Sequence, residues 1–192
     1  MPREILKGLH GEENWGTLKI GIKSTMQRET KRTHFRRFLE ADLAHLEELE
    51  SDPEIMRFTS FQVPQTKEAT KQRLLELTQN PEKEKPPFGV WGAFLKEDES
   101  FVGWLMLSRK RSSDPELGFM LVKKAWGQGF ATEVSQGILK EAFREKTLQK
   151  VIATTALENT ASIRVLEKLG FKRKESADPK LLSFQATRDS IR

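Results

Sequence analysis

The chain has 192 residues, 36% hydrophobic and 32% charged, with 33 Lys and Arg against 28 Asp and Glu for a formal net charge of +5. That length is one domain's worth and can bury a substantial core; no apolar run approaches the roughly 18 residues that span a bilayer and no N-terminal apolar segment reads as a secretory leader, so a cytoplasmic protein is expected. The absence of cysteine excludes disulfides, thiolate metal sites and a cysteine acyl-enzyme, and the three histidines, His10, His34 and His45, lack metal-ligand spacing, so no metal is expected.

Residues 1–28 carry Gly and Lys with little periodicity and read as an extension whose order the pattern leaves open, ahead of a domain over 29–192. Residues 33–38 read as a first strand and 40–50 as a helix with Leu43, Leu46 and Leu49 at helical spacing, broken by Ser51-Asp52-Pro53. A second helix is expected over 66–79, with Thr66 as N-cap and Leu74, Leu75 and Leu77 among its apolar residues. A charged, Pro-rich loop follows over 80–87. Strands over 88–96 and 101–109 are close enough to form an antiparallel hairpin. After a turn at 112–115 comes a strand over 116–122, then a helix from Gly129 to about Glu145. Its apolar stripe is Val134, Ile138 and Ala142, with Glu133, Lys140, Glu141 and Arg144 largely off it. A strand over 150–157, a helix over 159–169 closed by Gly170 in the left-handed position, and a last strand over 181–188 complete the chain. The expected class is α/β with a mixed, mostly antiparallel central sheet flanked by helices. The unit over 116–157 would be its parallel part by the crossover rule.

The most informative stretch runs from Glu116 through Gly127-Gln128-Gly129-Phe130-Ala131-Thr132 to Glu133: strand, glycine turn, amphipathic helix. Glycines there leave room for a ligand, and the orphan N–H groups of the helix start attract an anion. A P-loop needs a Gly-Lys-Ser/Thr ending, which is absent. A dinucleotide fingerprint needs a third Gly or Ala where Thr132 stands.

A second segment, Glu158-Asn159-Thr160-Ala161-Ser162-Ile163-Arg164-Val165-Leu166-Glu167-Lys168-Leu169-Gly170-Phe171, follows the strand around Val151 to Thr155. With the glycine turn it resembles the GNAT N-acetyltransferases, in particular the RimJ/RimL-like branch of ribosomal-protein N-terminal acetyltransferases, over about residues 29–187. Met26 lies just before that family-like start and is a candidate initiation point. In the family, the turn corresponding to Lys124-Ala125-Trp126-Gly127-Gln128-Gly129 binds the pyrophosphate of acetyl-CoA; here Lys124 replaces the usual Gln or Arg. The resemblance thus implies acetyl-CoA as co-substrate, with Lys124, Gly127, Gln128, Gly129, Phe130, Ala131 and Thr132 at its phosphates. Lys123 and Lys124 either add charge there or are an exposed strand end. Trp126 reads as core or as a platform under the turn.

The resemblance also gives Asn159 a pantetheine contact, beside its plain reading as a helix N-cap. Arg164 and Lys168 either meet the adenosine phosphates or only solvate a helix face. Many GNAT enzymes protonate the leaving thiolate with a Tyr on this last helix, but the chain contains no Tyr, and Leu166 occupies the position. RimL-like enzymes assign that role to the Ser of the Asn-x-x-Ser motif, which is Ser162; its other reading is a first-turn serine assisting the cap. Glu116, where several GNAT enzymes place a carboxylate, is the candidate base, its pKa raised by partial burial, or else a solvated strand-edge residue. The oxyanion would be met by the N–H of Leu121 or Val122, with direct attack on acetyl-CoA.

The acceptor is expected to be a primary amine such as a protein N-terminus, or else a small amine such as a polyamine, amino acid or aminoglycoside. Loops around 58–66 and 110–115 would select it, with Ser60, Phe61 and Gln62 as pocket candidates. The basic stretches Lys31-Arg32-Thr33-His34-Phe35-Arg36-Arg37 and Arg109-Lys110-Arg111 leave a third reading open, a non-catalytic CoA-binding or RNA-associated module. No nucleic-acid motif accompanies the charge, so nucleic acid is not the expected partner. Oligomeric state is not legible.

Overall fold

The computed structural model describes residues 28–79, 85–109 and 114–191. Residues 1–27 of the extension expected over 1–28, the loop residues 80–84 and the turn residues 110–113, with Lys110, Arg111 and the start of the 112–115 turn, lie outside the described residues.

Among the described residues seven strands form one sheet in the order β1-β2-β3-β4-β5-β7-β6: β1 Thr33–Arg36, β2 Gly89–Leu95, β3 Phe101–Ser108, β4 Glu116–Leu121, β5 Lys150–Ala156, β6 Lys172–Lys174 and β7 Leu181–Thr187. The helices are α1 Leu43–Glu50, α2 Pro53–Met56, α3 Lys67–Gln79, α4 Phe130–Ala142 and α5 Thr160–Leu169. Among the described residues only β4 and β5 run parallel, joined by α4; every other neighbouring pair is antiparallel. The mixed, mostly antiparallel sheet expected from the pattern is therefore the observed one.

Two elements depart from the expectation. Asp52-Pro53 does not simply end a helix but starts one: the Asp52 carboxylate accepts from the N–H groups of Glu54 at 2.9 Å and Ile55 at 3.3 Å, and Pro53 takes the first helical position, where a missing N–H is harmless. The edge strand β6 was not legible because Lys172-Arg173-Lys174 are all exposed, the polar composition that discourages pairing at a sheet edge.

Alternation sorts the sheet into two faces. Phe35, Trp91, Leu105, Leu107, Leu117, Val151, Ala153, Phe184 and Ala186 are buried on the face covered by α4 and α5. The α4 stripe of Val134, Ile138 and Ala142 meets it as expected; Glu141, expected off the stripe, is also buried. On the other face α1 and α3 bury Leu46, Leu49 and Leu74. Gly170 closes α5 at φ 93°, where an added Cβ would lie 1.8 Å from the Ser190 carbonyl oxygen. Both the backbone and the neighbouring chain require glycine there.

The arginines of the basic run after Lys31 are fastened to the protein itself. Arg36 grips Asp42 through two bonds of 2.6 and 2.9 Å, Arg37 donates to the carbonyls of Phe88 and Val90, and Arg32 pairs with Glu133. Burial pushes the Asp42 carboxyl up, but the Arg36 guanidinium and the Leu39 N–H outweigh it and hold the carboxyl below its ordinary value.

Asp42→Asn should destabilise the protein by about 2 kcal/mol, lowering Tm by roughly 4–8 °C. A carboxyl depressed in the folded state stabilises above its unfolded pKa and loses that contribution as pH falls through the folded value. Thermal melts should therefore show the gap between wild type and variant at neutral pH closing on acidification below the ordinary carboxylate range.

Candidate active site

Strands β4 and β5 pair at Glu116↔Ile152, beside the Ile152 N–H bond to the Pro115 carbonyl at 2.9 Å, and nowhere beyond. Toward their C-terminal ends the two strands part. The opening continues into a cleft of about 580 Å³ lined by Phe119, Met120 and Leu121 of β4, by the turn residues Gly127, Gly129, Phe130, Ala131 and Thr132, and by Asn159, Ser162, Arg164, Val165 and Lys168. Sequence segments separated by α4 and β5 thus meet at one opening.

The turn has the geometry its glycines suggest. Gly127 and Gly129 lie at φ 72° and 81°, a region where a side chain is strained. A Cβ built on Gly127 meets nothing within 4 Å, so the space above it is open. Gly129 N-caps α4 with no side chain to bond the first N–H groups. They remain available at the positive end of the helix dipole, and a diphosphate fits this cradle by its charge and by the room above it.

The strand amides divide cleanly. Val122 N–H donates to the Val102 carbonyl at 3.1 Å and is used up. By antiparallel alternation Met120 and Trp104 are the next bonded pair, and Leu121, opposite Gly103, turns its N–H away from β3 into the gap with β5. The Leu121 carbonyl accepts the Trp126 indole N–H at 2.8 Å. Trp126 is therefore a brace for the end of β4 as well as part of the cleft wall.

Other expected residues fall elsewhere. Lys124, paired with Glu48 at 3.4 Å, and Gln128, whose amide bonds the Lys124 carbonyl at 2.6 Å, are not among the lining residues, nor is Val122. Lys123 is pulled toward α2 by Glu54 at 2.7 Å and Asp52 at 3.0 Å, and these carboxylates, Glu54 first, hold its ammonium above the ordinary range. Glu116 lies at the start of β4, about 13 Å along the strand from Met120. It shares the face of Met120 and of Trp104, which lies under Arg73 of α3. Glu116 thus points to the α1–α3 side of the sheet and does not line the cleft, whereas Ser162 approaches from the α5 side. Ser162 is half-buried and its N–H donates to Asn159 Oδ1 at 3.1 Å. Leu166 is buried and Val165 lines the cleft instead.

The α1–α3 side of the opening is lined by Glu54, Arg57, Phe58 and Thr59. Ser60, Phe61 and Gln62, expected at this pocket, are exposed and not among the lining residues. The loop expected over 58–66 supplies Phe58 and Thr59 to this wall, whereas Glu54 and Arg57 come from α2 and its C-cap, which the pattern does not predict because Asp52-Pro53 reads as a stop; the same two residues, as N-cap and first helical residue, are the signal for it.

The family model for the acetyltransferase (GNAT) domain matches residues 32–172. In sequence, the chain is similar to the FsC-acetyl coenzyme A-N(2)-transacetylase of Aspergillus fumigatus, 33% identical over 137 residues, covering 67% of this chain and 57% of that protein. In structure it is similar to an acetyltransferase of the GNAT family from Bacillus anthracis, with a TM-score of 0.73 at 24% identity, covering 85% of this chain and 99% of that one. It is also similar to RimL, a ribosomal-protein alpha-N-acetyltransferase in complex with coenzyme A, with a TM-score of 0.69 at 13% identity, covering 86% and 98%. At those identities the structural likeness is one of fold.

Asn159 caps α5 from within the cleft wall, and two substitutions separate its roles. Asn159→Ala should lower stability by about 1 kcal/mol, a Tm drop of roughly 2–4 °C, while Asn159→Asp keeps the cap and the Tm. If the side-chain amide N–H also serves a ligand, Asn159→Asp loses acetyl-CoA affinity in calorimetry despite its wild-type melt.

Proposed function

The chain belongs to the GNAT acetyltransferase family and is an N-acetyltransferase with acetyl-CoA as co-substrate; on that premise we propose that it passes the acetyl group directly to a primary amine, that of a protein N-terminus. The observation carrying this reading is the opening between β4 and β5, which connects the glycine turn and α5 on one side of the sheet with Arg57, Phe58 and Thr59 on the other. An opening through the sheet lets two substrates approach from opposite faces, which direct transfer without a covalent enzyme intermediate requires. The absence of cysteine agrees with direct transfer.

In this reading the N–H groups of Gly129, Phe130, Ala131 and Thr132 hold the diphosphate, Asn159 the pantetheine arm, and Arg164 and Lys168 the nucleotide phosphate. Leu121 N–H, turned into the gap, donates to the developing oxyanion. Ser162 protonates the departing thiolate. Glu116, on the α1–α3 side, takes the proton of the attacking amine through water, because its distance along the strand from Met120 is too long for direct contact.

The protein N-terminus as acceptor rests on the fold likeness to RimL and on the open α2 side of the cleft. A second reading, a small amine, is favoured by the relative named for transfer to an N(2) position.

Thermal unfolding with acetyl-CoA at about 100-fold over its Kd should show a stabilisation of roughly 2.7 kcal/mol, with ATP and NAD inert. Release of free CoA thiol is then followed with peptide N-termini, polyamines, amino acids and aminoglycosides; turnover confined to the small amines would replace the protein acceptor by the second reading. Ser162→Ala should reduce kcat about 100-fold with acetyl-CoA affinity retained, and an unchanged kcat would leave Ser162 a helix-start residue only.

A further inference from the structure

The glycine turn is held from behind by a residue outside the cleft. Arg32, immediately before β1, donates from Nη2 to the Gln128 carbonyl at 3.0 Å. Its guanidinium carbon lies 4.0 Å from the centroid of the Phe130 ring, and its Nε pairs with Glu133 Oε2 at 2.7 Å. The Arg32 backbone N–H donates to Glu133 Oε1 at 2.7 Å, an oxygen that also accepts the Thr30 hydroxyl. One arginine thus touches the turn, the first residue of α4 and the acid at the end of the first helical turn.

A planar trans peptide points its C=O and N–H in opposite directions. Fixing the Gln128 carbonyl on Arg32 therefore fixes the Gly129 N–H away from Arg32, and it is Gly129, not Gln128, that lines the cleft. Glu133 is the second consequence. A carboxylate in the first turn of a helix stabilises that helix but repels a second anion at the same end. Burial pushes the Glu133 carboxyl up, yet the Thr30 hydroxyl and the Arg32 N–H and guanidinium together hold it below the ordinary range, so it is ionised at neutral pH and its charge needs compensation.

We propose that Arg32 is a positioning residue for the diphosphate of acetyl-CoA, aiming the Gly129 N–H into the cleft and neutralising Glu133 so that the helix end accepts an anion. This rests on the reading of the turn as the diphosphate site. Arg32 does not line the cleft and acts through Gln128, Phe130 and Glu133. Its effect is specific to the part of the ligand that the turn holds.

The test compares Kd for CoA and for acetyl-pantetheine, which lacks the diphosphate and the nucleotide, in the full chain and in Arg32→Ala, Arg32→Lys and the double variant Arg32→Ala with Glu133→Gln. Arg32→Ala should weaken CoA about tenfold and leave acetyl-pantetheine unchanged. Arg32→Lys keeps the charge without the fork and should show a smaller loss with the same selectivity, which also serves if the alanine variant does not fold. The double variant should recover part of the CoA affinity, since the uncompensated carboxylate is gone. Equal losses for both ligands, or none for either, would overturn the inference and leave the reading of the turn intact. Wild-type protein that binds acetyl-pantetheine as tightly as CoA would overturn the reading of the turn and the inference with it.

Discussion

The parting of β4 from β5 is the constraint on which the rest of the structure depends. A parallel pair bonded at Glu116↔Ile152 and nowhere beyond leaves strand N–H and C=O groups facing a gap, and buried backbone groups without partners are costly. The fold meets that demand on one side with the Trp126 indole, which satisfies the Leu121 carbonyl. The Leu121 N–H, which belongs to the preceding peptide unit and points to the same side, faces space that a substrate oxygen can fill. Gly103 helps hold β4 against β3 instead of β5: a Cβ there would lie 2.2 Å from the Met120 carbonyl oxygen, so only glycine allows the two strands this close.

Around the gap, charge is used mainly for fastening. The net charge of +5 and the run of arginines suggest an outward basic surface, yet Arg32, Arg36 and Arg37 each find partners within the protein, and Lys123 and Lys124 are drawn to the acids of α1 and α2. Glu50, buried beneath α3, is met by Arg73 at 3.1 Å and by the Thr70 hydroxyl at 2.9 Å. Such pairs contribute modestly where exposed and more where desolvated partners satisfy each other. Their common effect is to fasten the β1 region to its neighbours and to α4, and α1 and α2 to the residues that follow β4.

The chemistry then depends on which side chains reach the opening. On α5, helical geometry sends Leu166 into the core and brings Ser162 and Val165 to the cleft. A chain without tyrosine has only hydroxyls of Ser and Thr to offer there, and Ser162 sits three residues after the cap at Asn159, whose side chain accepts the Ser162 N–H. Glu116 belongs to the opposite side of the sheet, away from Ser162.

Most of the element order, the α/β class and the glycine turn are legible in the sequence, because periodicity, caps and turn glycines are local properties written in consecutive residues: Gly170 adopts the left-handed backbone its position after α5 suggested. The sequence also singled out the glycine turn and the α5 segment, two of the three stretches that line the cleft, the third being residues 54–59. It did not reveal α2, whose Asp52-Pro53 start resembles a stop, or β6, whose exposed Lys and Arg read as loop. Only the tertiary structure decided that Val122 N–H is spent on Val102 while Leu121 N–H is not, that Glu116 lies away from Ser162, and that Arg32 reaches Gln128 and Glu133. Each of these depends on strand register or on contacts across about a hundred residues, and neither is encoded in any single stretch of chain.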